Sequence, residues 1–166
     1  MITIISGSGR EDNRSKKIAA EYHRLLSEKQ VEAAFLALDE INVYNRDAAF
    51  VEMEKNVLIP AQKFIIILPE YNGSYPGILK LMIDHSDVKP CWANKKVLLT
   101  GISSGRAGNL RGMEHLTGSL LYMKSIVHPN RLPISSVNKL LDEQNKIKDY
   151  STLQSIDEQL NEFLQF

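Results

Sequence analysis

Apolar residues fall along this chain in two recurring patterns: short unbroken runs closed by glycine or proline, and longer stretches repeating every three to four positions. Residues 2–5 form the first run and predict a buried strand. Residues 13–29 follow, with Ile18, Ala19, Tyr22, Leu25 and Leu26 at helical spacing. A second strand is predicted over 31–38, and a weaker helix over 46–56 carries Phe50, Val51 and Met53 on one side. The run KFIIIL at 63–68, closed by Pro69, is continuous rather than alternating. That predicts burial on both faces, as in a central parallel strand. Pro76 suits the first turn of a helix reaching about residue 85. Residues 95–102 read as another strand buried on both faces, 108–123 as a helix and 125–128 as a short fifth strand. Residues 135–149 are polar and predict a loop with a short helical turn. The chain closes at 150–166 as an amphipathic helix with Leu153, Ile156, Leu160, Phe163 and Leu164 on one face.

Strand and helix therefore alternate five times, which predicts an α/β fold: a parallel sheet with helices on both faces. No linker, repeat or shift in composition divides the chain, so residues 1–166 read as one domain. Open parallel sheets bind ligands beyond the carboxyl ends of their strands. The loops after the first, third and fourth strands lie there, and all three are unusual in composition.

The first loop, SGSGREDNRSKK at 6–17, reads as an anion cradle. A triphosphate loop requires Gly-Lys-Ser/Thr after glycine and four residues, and that pattern is absent. A dinucleotide fingerprint requires a third glycine near Asp12, whose carboxylate would face the pyrophosphate. What remains is a set of hydroxyls and backbone amides leading into a helix N-terminus, enough for one phosphate. Ser8, Arg10, Asn13 and Ser15 are the candidate side-chain donors, and Arg10 can bind two oxygens at once. The same residues also read as a plain glycine turn with a helix cap at Asp12 or Asn13.

The second loop is PEYNGSYPGILK at 69–80. Pro69 ends the strand because it cannot donate to a ladder. Asn72-Gly73 is a tight-turn pair whose backbone N–H groups suit the polar edge of a flat heterocycle, with Tyr71 and Tyr75 to flank it. Glu70 is a candidate acid or base, and equally a helix-cap or surface carboxylate. The third loop, GISSGRAGNLRG at 101–112, offers hydroxyls and backbone donors from Ser103, Ser104 and Gly105. Arg106 and Arg111 suit an anionic second substrate, although Arg111 also reads as a solvated helix position.

Twenty basic residues balance twenty acidic ones, which argues against general nucleic-acid binding. Cys91 stands alone, so no internal disulfide forms, and no Cys/His cluster has metal-ligand spacing. A lone cysteine without a placed histidine or aspartate partner reads as structural. His23, His85, His115 and His128 read as surface or packed residues. The opening MITII is too short for a signal peptide and no stretch approaches membrane-span length, so the expected compartment is the cytoplasm.

Together the loops Gly7-Ser8-Gly9-Arg10, Pro69 to Lys80 and Ser103-Ser104-Gly105 through Gly108 resemble those of the NAD(P)H-dependent FMN reductase family, in order and spacing over residues 1–128. The resemblance implies a flavodoxin-like three-layer sandwich with a five-stranded parallel sheet of order 2-1-3-4-5 and one FMN per subunit. It places the FMN phosphate on Ser8, Arg10 and Ser15, with Asn13 standing where many relatives carry serine. It lines the isoalloxazine with Pro69, Glu70, Tyr71, Asn72 and Gly73, and closes the ring's other side with Ser103, Ser104, Gly105 and Arg106. Relatives often read Lys-Asn-x-x-Asp-Trp where this chain has Leu81 and His85. The implied reaction passes a hydride from NAD(P)H through FMN to a quinone, azo compound, flavin or similar small molecule, with no catalytic side chain, in a homodimer or homotetramer. The alternative is a flavodoxin-like electron carrier or flavin-binding protein without NAD(P)H activity of its own. Flavodoxins tend to be strongly acidic, so neutral charge and the PEYN loop favour the reductase.

Overall fold

The computed structural model describes residues 1–166. Six strands, β1 (Ile2–Ser6), β2 (Ala33–Ala37), β3 (Lys63–Pro69), β4 (Lys96–Ile102), β5 (Ile126–Val127) and β6 (Leu132–Ile134), form one parallel sheet. Its order is β2-β1-β3-β4-β5, with β6 also pairing β4. The helices are α1 (Arg14–Glu28), α2 (Ala48–Met53), α3 (Gly77–His85), α4 (Val88–Cys91), α5 (Leu110–Tyr122) and α6 (Tyr150–Gln165).

The unbroken apolar runs do what their continuity predicts. In β3, Phe64, Ile66 and Leu68 enter one core while Ile65 and Ile67 enter the other. Alternate side chains of a strand point to opposite faces, so only a doubly covered strand tolerates such a run. One core lies under α2 to α5 and holds Phe50, Trp92, Met113, Leu116 and Leu120. Its counterpart lies under α1 and α6 and holds Ile18, Tyr22, Leu26, Ile156, Leu160 and Phe163.

The short fifth strand expected over 125–128 forms as Ile126–Val127, opposite Lys96 and Val97, and a sixth strand not expected from the sequence follows it. The chain then leaves the sheet at Pro129, which has no N–H to donate, and returns as Leu132–Ile134 opposite Thr100–Ile102. Gln159 of α6 repairs the gap. Its Nε2 donates to Leu99 O at 3.2 Å and to Asn130 O at 2.9 Å. Its Oε1 accepts from the Tyr22 hydroxyl at 2.6 Å and the Thr100 hydroxyl at 3.1 Å. Every group in this buried patch is thereby paired, as a buried polar cluster must be.

Two further features were not anticipated. The helix expected over 46–56 ends as α2 at Met53 and continues as a wider π-helical turn, Glu54–Leu58. Glu54 is buried there and pairs with Arg46 Nη2 at 2.5 Å, with further contacts to the Asp87 N–H and Cys91 Sγ. α4 is a single turn capped by Asp87. The polar segment 135–149 carries the expected helical turn at Val137–Lys139.

Candidate functional site

The loop after β1 is shaped by its own side chains. Gly7 N–H donates to Ile67 O at 2.9 Å, extending the strand pairing by one residue. The Ser8 hydroxyl is buried, accepts from Arg10 N–H at 3.2 Å and bonds the Tyr71 hydroxyl at 3.0 Å. Arg10 lays its guanidinium over the Tyr71 ring, Cζ 4.3 Å from the centroid, an arrangement favourable for a cation. Asn13 is the cap of α1. Its Oδ1 accepts from Lys16 N–H at 2.8 Å, from the Ser15 hydroxyl at 2.9 Å and from the Ser6 hydroxyl at 3.4 Å. Its amide donates to Arg10 O at 2.6 Å. Asn13 thus spends its polar atoms holding the loop, and the Ser15 hydroxyl proton is engaged in the same way. Asp12 takes a left-handed backbone, φ 47°, and turns its exposed carboxylate to Lys17 at 2.6 Å. The hydrogen bond and charge of Lys17 hold that carboxyl below its ordinary pKa.

This leaves a set of free donors. No group of the chain accepts from the backbone N–H groups of Glu11, Asp12, Asn13, Arg14 or Ser15. They gather at the positive end of α1, the arrangement that binds phosphate.

In the second loop, Tyr71 and Ser74 exchange both backbone hydrogen bonds, at 2.8 and 3.0 Å. Between them Asn72 and Gly73 have φ of 52° and 75°, which defines a two-residue turn with both centres left-handed. Asn and Gly are the residues that adopt this conformation cheaply, so the Asn72-Gly73 pair meets the turn's demand. Neither of their N–H groups has an acceptor in the chain. Glu70 N–H donates to Ile102 O at 2.9 Å while its side chain is exposed.

The third loop is fastened to the second by Asn109, a buried, left-handed residue that caps α5. Its amide donates to Leu68 O at 3.1 Å and Pro69 O at 2.9 Å, and its Oδ1 accepts from Gly112 N–H at 3.2 Å. The Ser103 hydroxyl donates to Gly105 O at 3.1 Å and accepts from Gly108 N–H at 2.9 Å. Gly101 is required by close approach, since a Cβ there would stand 2.2 Å from Gly108 O.

The three loops meet in one cavity of about 220 Å³. Ser8, Arg10, Asn13 and Ser15 line it from the first loop, Pro69, Glu70 and Tyr71 from the second, Ser103 and Ser104 from the third. Asn72, Gly73, Gly105 and Arg106 sit on those loops but outside its walls. Sequence reasoning missed Val137 and Asn138, which supply a further wall. Asn138 Oδ1 accepts from Arg14 Nε at 3.0 Å, joining the polar segment to the start of α1. No local pattern announces that contact, which bridges distant parts of the chain.

The other reactive candidates are accounted for elsewhere. Cys91 is buried, and burial together with the neighbouring Glu54 pushes its thiol up to about 12, so it is no nucleophile at neutral pH. His85 Nδ1 lies 2.9 Å from Val43 O, His128 packs edge-on against Phe163 and Phe166, and His23 packs edge-on against Phe35. His115 alone touches the site's surroundings, with Nδ1 2.9 Å from the Ser74 hydroxyl. No group of three or more His, Cys, Asp or Glu side chains is arranged to hold a metal ion. No helix is long and apolar enough to cross a membrane.

The sequence model of NADPH-dependent FMN reductase matches residues 1–139. An NAD(P)H-dependent FMN reductase of Pseudomonas aeruginosa is 31% identical over 131 residues, covering 72% of this chain and 70% of the relative. A quinone reductase of Escherichia coli K12 is 27% identical, covering 99% of this chain and 94% of the relative. Among solved structures, the flavoenzyme NAD(P)H:(acceptor) oxidoreductase FerB of Paracoccus denitrificans superposes with a TM-score of 0.80 at 22% identity, over 99% of this chain and 94% of that one. The chain belongs to the NADPH-dependent FMN reductase family, flavodoxin-like oxidoreductases that work with FMN as cofactor and NAD(P)H as electron donor.

Proposed function

We propose that this chain holds one FMN in the three-loop cavity and reduces small quinone- or azo-type acceptors at the expense of NAD(P)H. The observation that carries the reading is the cluster of unpartnered N–H groups from Glu11 to Ser15, set beside the unpaired Arg10 at the carboxyl edge of the sheet. That donor set fits a phosphate dianion. The free N–H groups of Asn72 and Gly73 and the wall made by Tyr71 fit a flat ring with one polar edge.

In this reading Ser8, Arg10 and the amides entering α1 hold the phosphate, and Asn13 keeps their loop in shape. Bound FMN supplies the chemistry of accepting and releasing a hydride. Pro69 to Gly73 and Ser103 to Arg106 orient the ring from two sides. The N–H groups of Asn72 and Gly73 supply preorganised donors for negative charge at its polar edge. No side chain acts as a nucleophile. We take residues 1–166 as one domain acting in the cytoplasm as a homodimer or homotetramer.

A visible spectrum tests this. Purified protein mixed with FMN should show bound flavin, with an absorption band at about 450 nm that bleaches on adding NADH or NADPH under argon. Bound flavin that neither dinucleotide bleaches would instead support the electron-carrier reading, and failure to bind FMN would sink both.

A further inference from the structure

Arginine is the residue best suited to phosphate, and this chain uses its seven in two ways. Arg14 bonds Asn138, Arg24 pairs with Glu21 and Glu28, Arg46 with Glu54, and Arg131 with Glu114. The remaining three, Arg10, Arg106 and Arg111, have no hydrogen-bond or ion-pair partner and belong to the first and third loops. Arg10 is committed by its place in the cavity wall. Arg111 is not a wall residue, yet its position is defined. A Cβ on Gly73 would stand 3.1 Å from Arg111 Nη1, so the guanidinium lies against the bare side of the Asn72-Gly73 turn. One helical turn further along the same face of α5, His115 bonds Ser74 at 2.9 Å. Two successive turns of α5 are thus docked on the second loop, and they hold an exposed, unpaired cation at its rim.

The first turn of a helix is an unfavourable place for a cation, and no acidic residue stands in the first turn of α5 to offset it. Packing does not require the charge either, because the side chain is exposed. The feature becomes favourable when an anion approaches over the flavin loop.

We propose that Arg111 recognises the phosphate groups of the incoming nicotinamide dinucleotide and so distinguishes that charged donor from neutral acceptors using the same opening. This rests on the reading that the Asn72-Gly73 turn borders the flavin ring. The guanidinium contributes to binding only, and the hydride passes between dinucleotide and flavin without it. Neutral quinones gain nothing from Arg111.

The test compares FMN-loaded wild type with Arg111→Ala and Arg111→Lys, following anaerobic bleaching of the flavin by NADPH, NADH and dihydronicotinamide riboside, a hydride donor with no phosphate. Arg111→Ala should raise the apparent Kd for the dinucleotides about tenfold or more. Reduction by the riboside should be unchanged, and Arg111→Lys should recover part of the loss. An equal loss with both dinucleotides assigns the contact to the pyrophosphate, and a larger loss with NADPH assigns it to the 2′-phosphate. Either supports the proposal. Unchanged dinucleotide binding, or a parallel loss with the riboside, overturns it. If the alanine variant does not fold, ionic strength on the wild type decides: dinucleotide Kd should rise with salt while riboside reduction stays flat, and a flat dinucleotide response rejects the proposal. Wild type that binds FMN but is bleached by neither dinucleotide overturns the reductase reading itself, whereas normal bleaching with an indifferent variant overturns only the role of Arg111.

Discussion

Helices α1 and α6 pack into the same core and are capped in the same way, yet one begins among unanswered backbone donors and the other does not. In each, a side chain one residue before the helix accepts from the N–H three positions on: Asn13 from Lys16, and Asp149 from Thr152. The difference is charge. Asp149 also collects the Ser151 and Thr152 hydroxyls, at 2.9 and 2.7 Å, so the positive end of α6 is answered by its own carboxylate. Asn13 is neutral, the first turn of α1 carries no acid, and the loop before it holds free N–H groups and the unpaired Arg10. Two helix ends of similar geometry thus differ in the donors they leave unanswered, and the proposed phosphate site rests on those donors rather than on the cap itself.

Exchanging the charge should break the comparison most sharply. Asn13→Asp would place a carboxylate within the proposed phosphate cradle and lose the amide bond to Arg10 O. FMN affinity should fall on the order of 100-fold or more, from like charge in a partly desolvated site. Equilibrium dialysis or flavin fluorescence would measure it, and an affinity within threefold of wild type would reject the cradle. Arg10→Ala comes next. It removes one charge-assisted contact and should cost about 1.5–3 kcal/mol of FMN affinity. Its effect on apoprotein stability should stay within about 0.5 kcal/mol, because Arg10 is exposed. A stability loss with unchanged FMN affinity would move Arg10 from the binding set to the structural one.

Much of this was legible in the sequence, and the unread parts share a physical cause. Continuous runs such as 63–68 announce strands buried on both faces, and β3 is such a strand. Glycine and hydroxyl composition marked the three loops, and the Asn72-Gly73 pair carried its turn type with it. The short fifth strand was legible at 125–128, but β6 was not, since a piece of three residues is too short to show periodicity, and Gln159 bridges the gap before it from the far end of the chain. Val137 and Asn138 reach the cavity wall through tertiary folding alone. Asn13 was half legible: residue type pointed equally to donor and to cap, and only in the folded chain are its polar atoms already spent.

The smallest expected effect lies at the helix that answers its own charge. Hydrogen bonds from Thr152, through side chain and backbone, and then from Ser151, hold the Asp149 carboxyl below its ordinary pKa. A depressed folded-state pKa means that the ionised form is bound more tightly in the fold than in the unfolded chain. Its contribution to stability is therefore whole above about pH 4, the ordinary carboxylate value, and is lost as pH falls through the lower folded value. Asp149→Asn retains an oxygen for the cap but cannot titrate. Thermal melts of apoprotein should show the variant slightly less stable than wild type above about pH 5, with the gap closing as the pH is lowered below the ordinary carboxylate range. The variant also turns the start of α6 into a neutral cap like that of α1, but without an arginine and a run of free amides beside it. It should acquire no affinity for inorganic phosphate. A phosphate-dependent rise in melting temperature specific to Asp149→Asn would show that a neutral cap suffices, and that Arg10 and the free N–H groups of residues 11–15 are not what distinguishes the two ends.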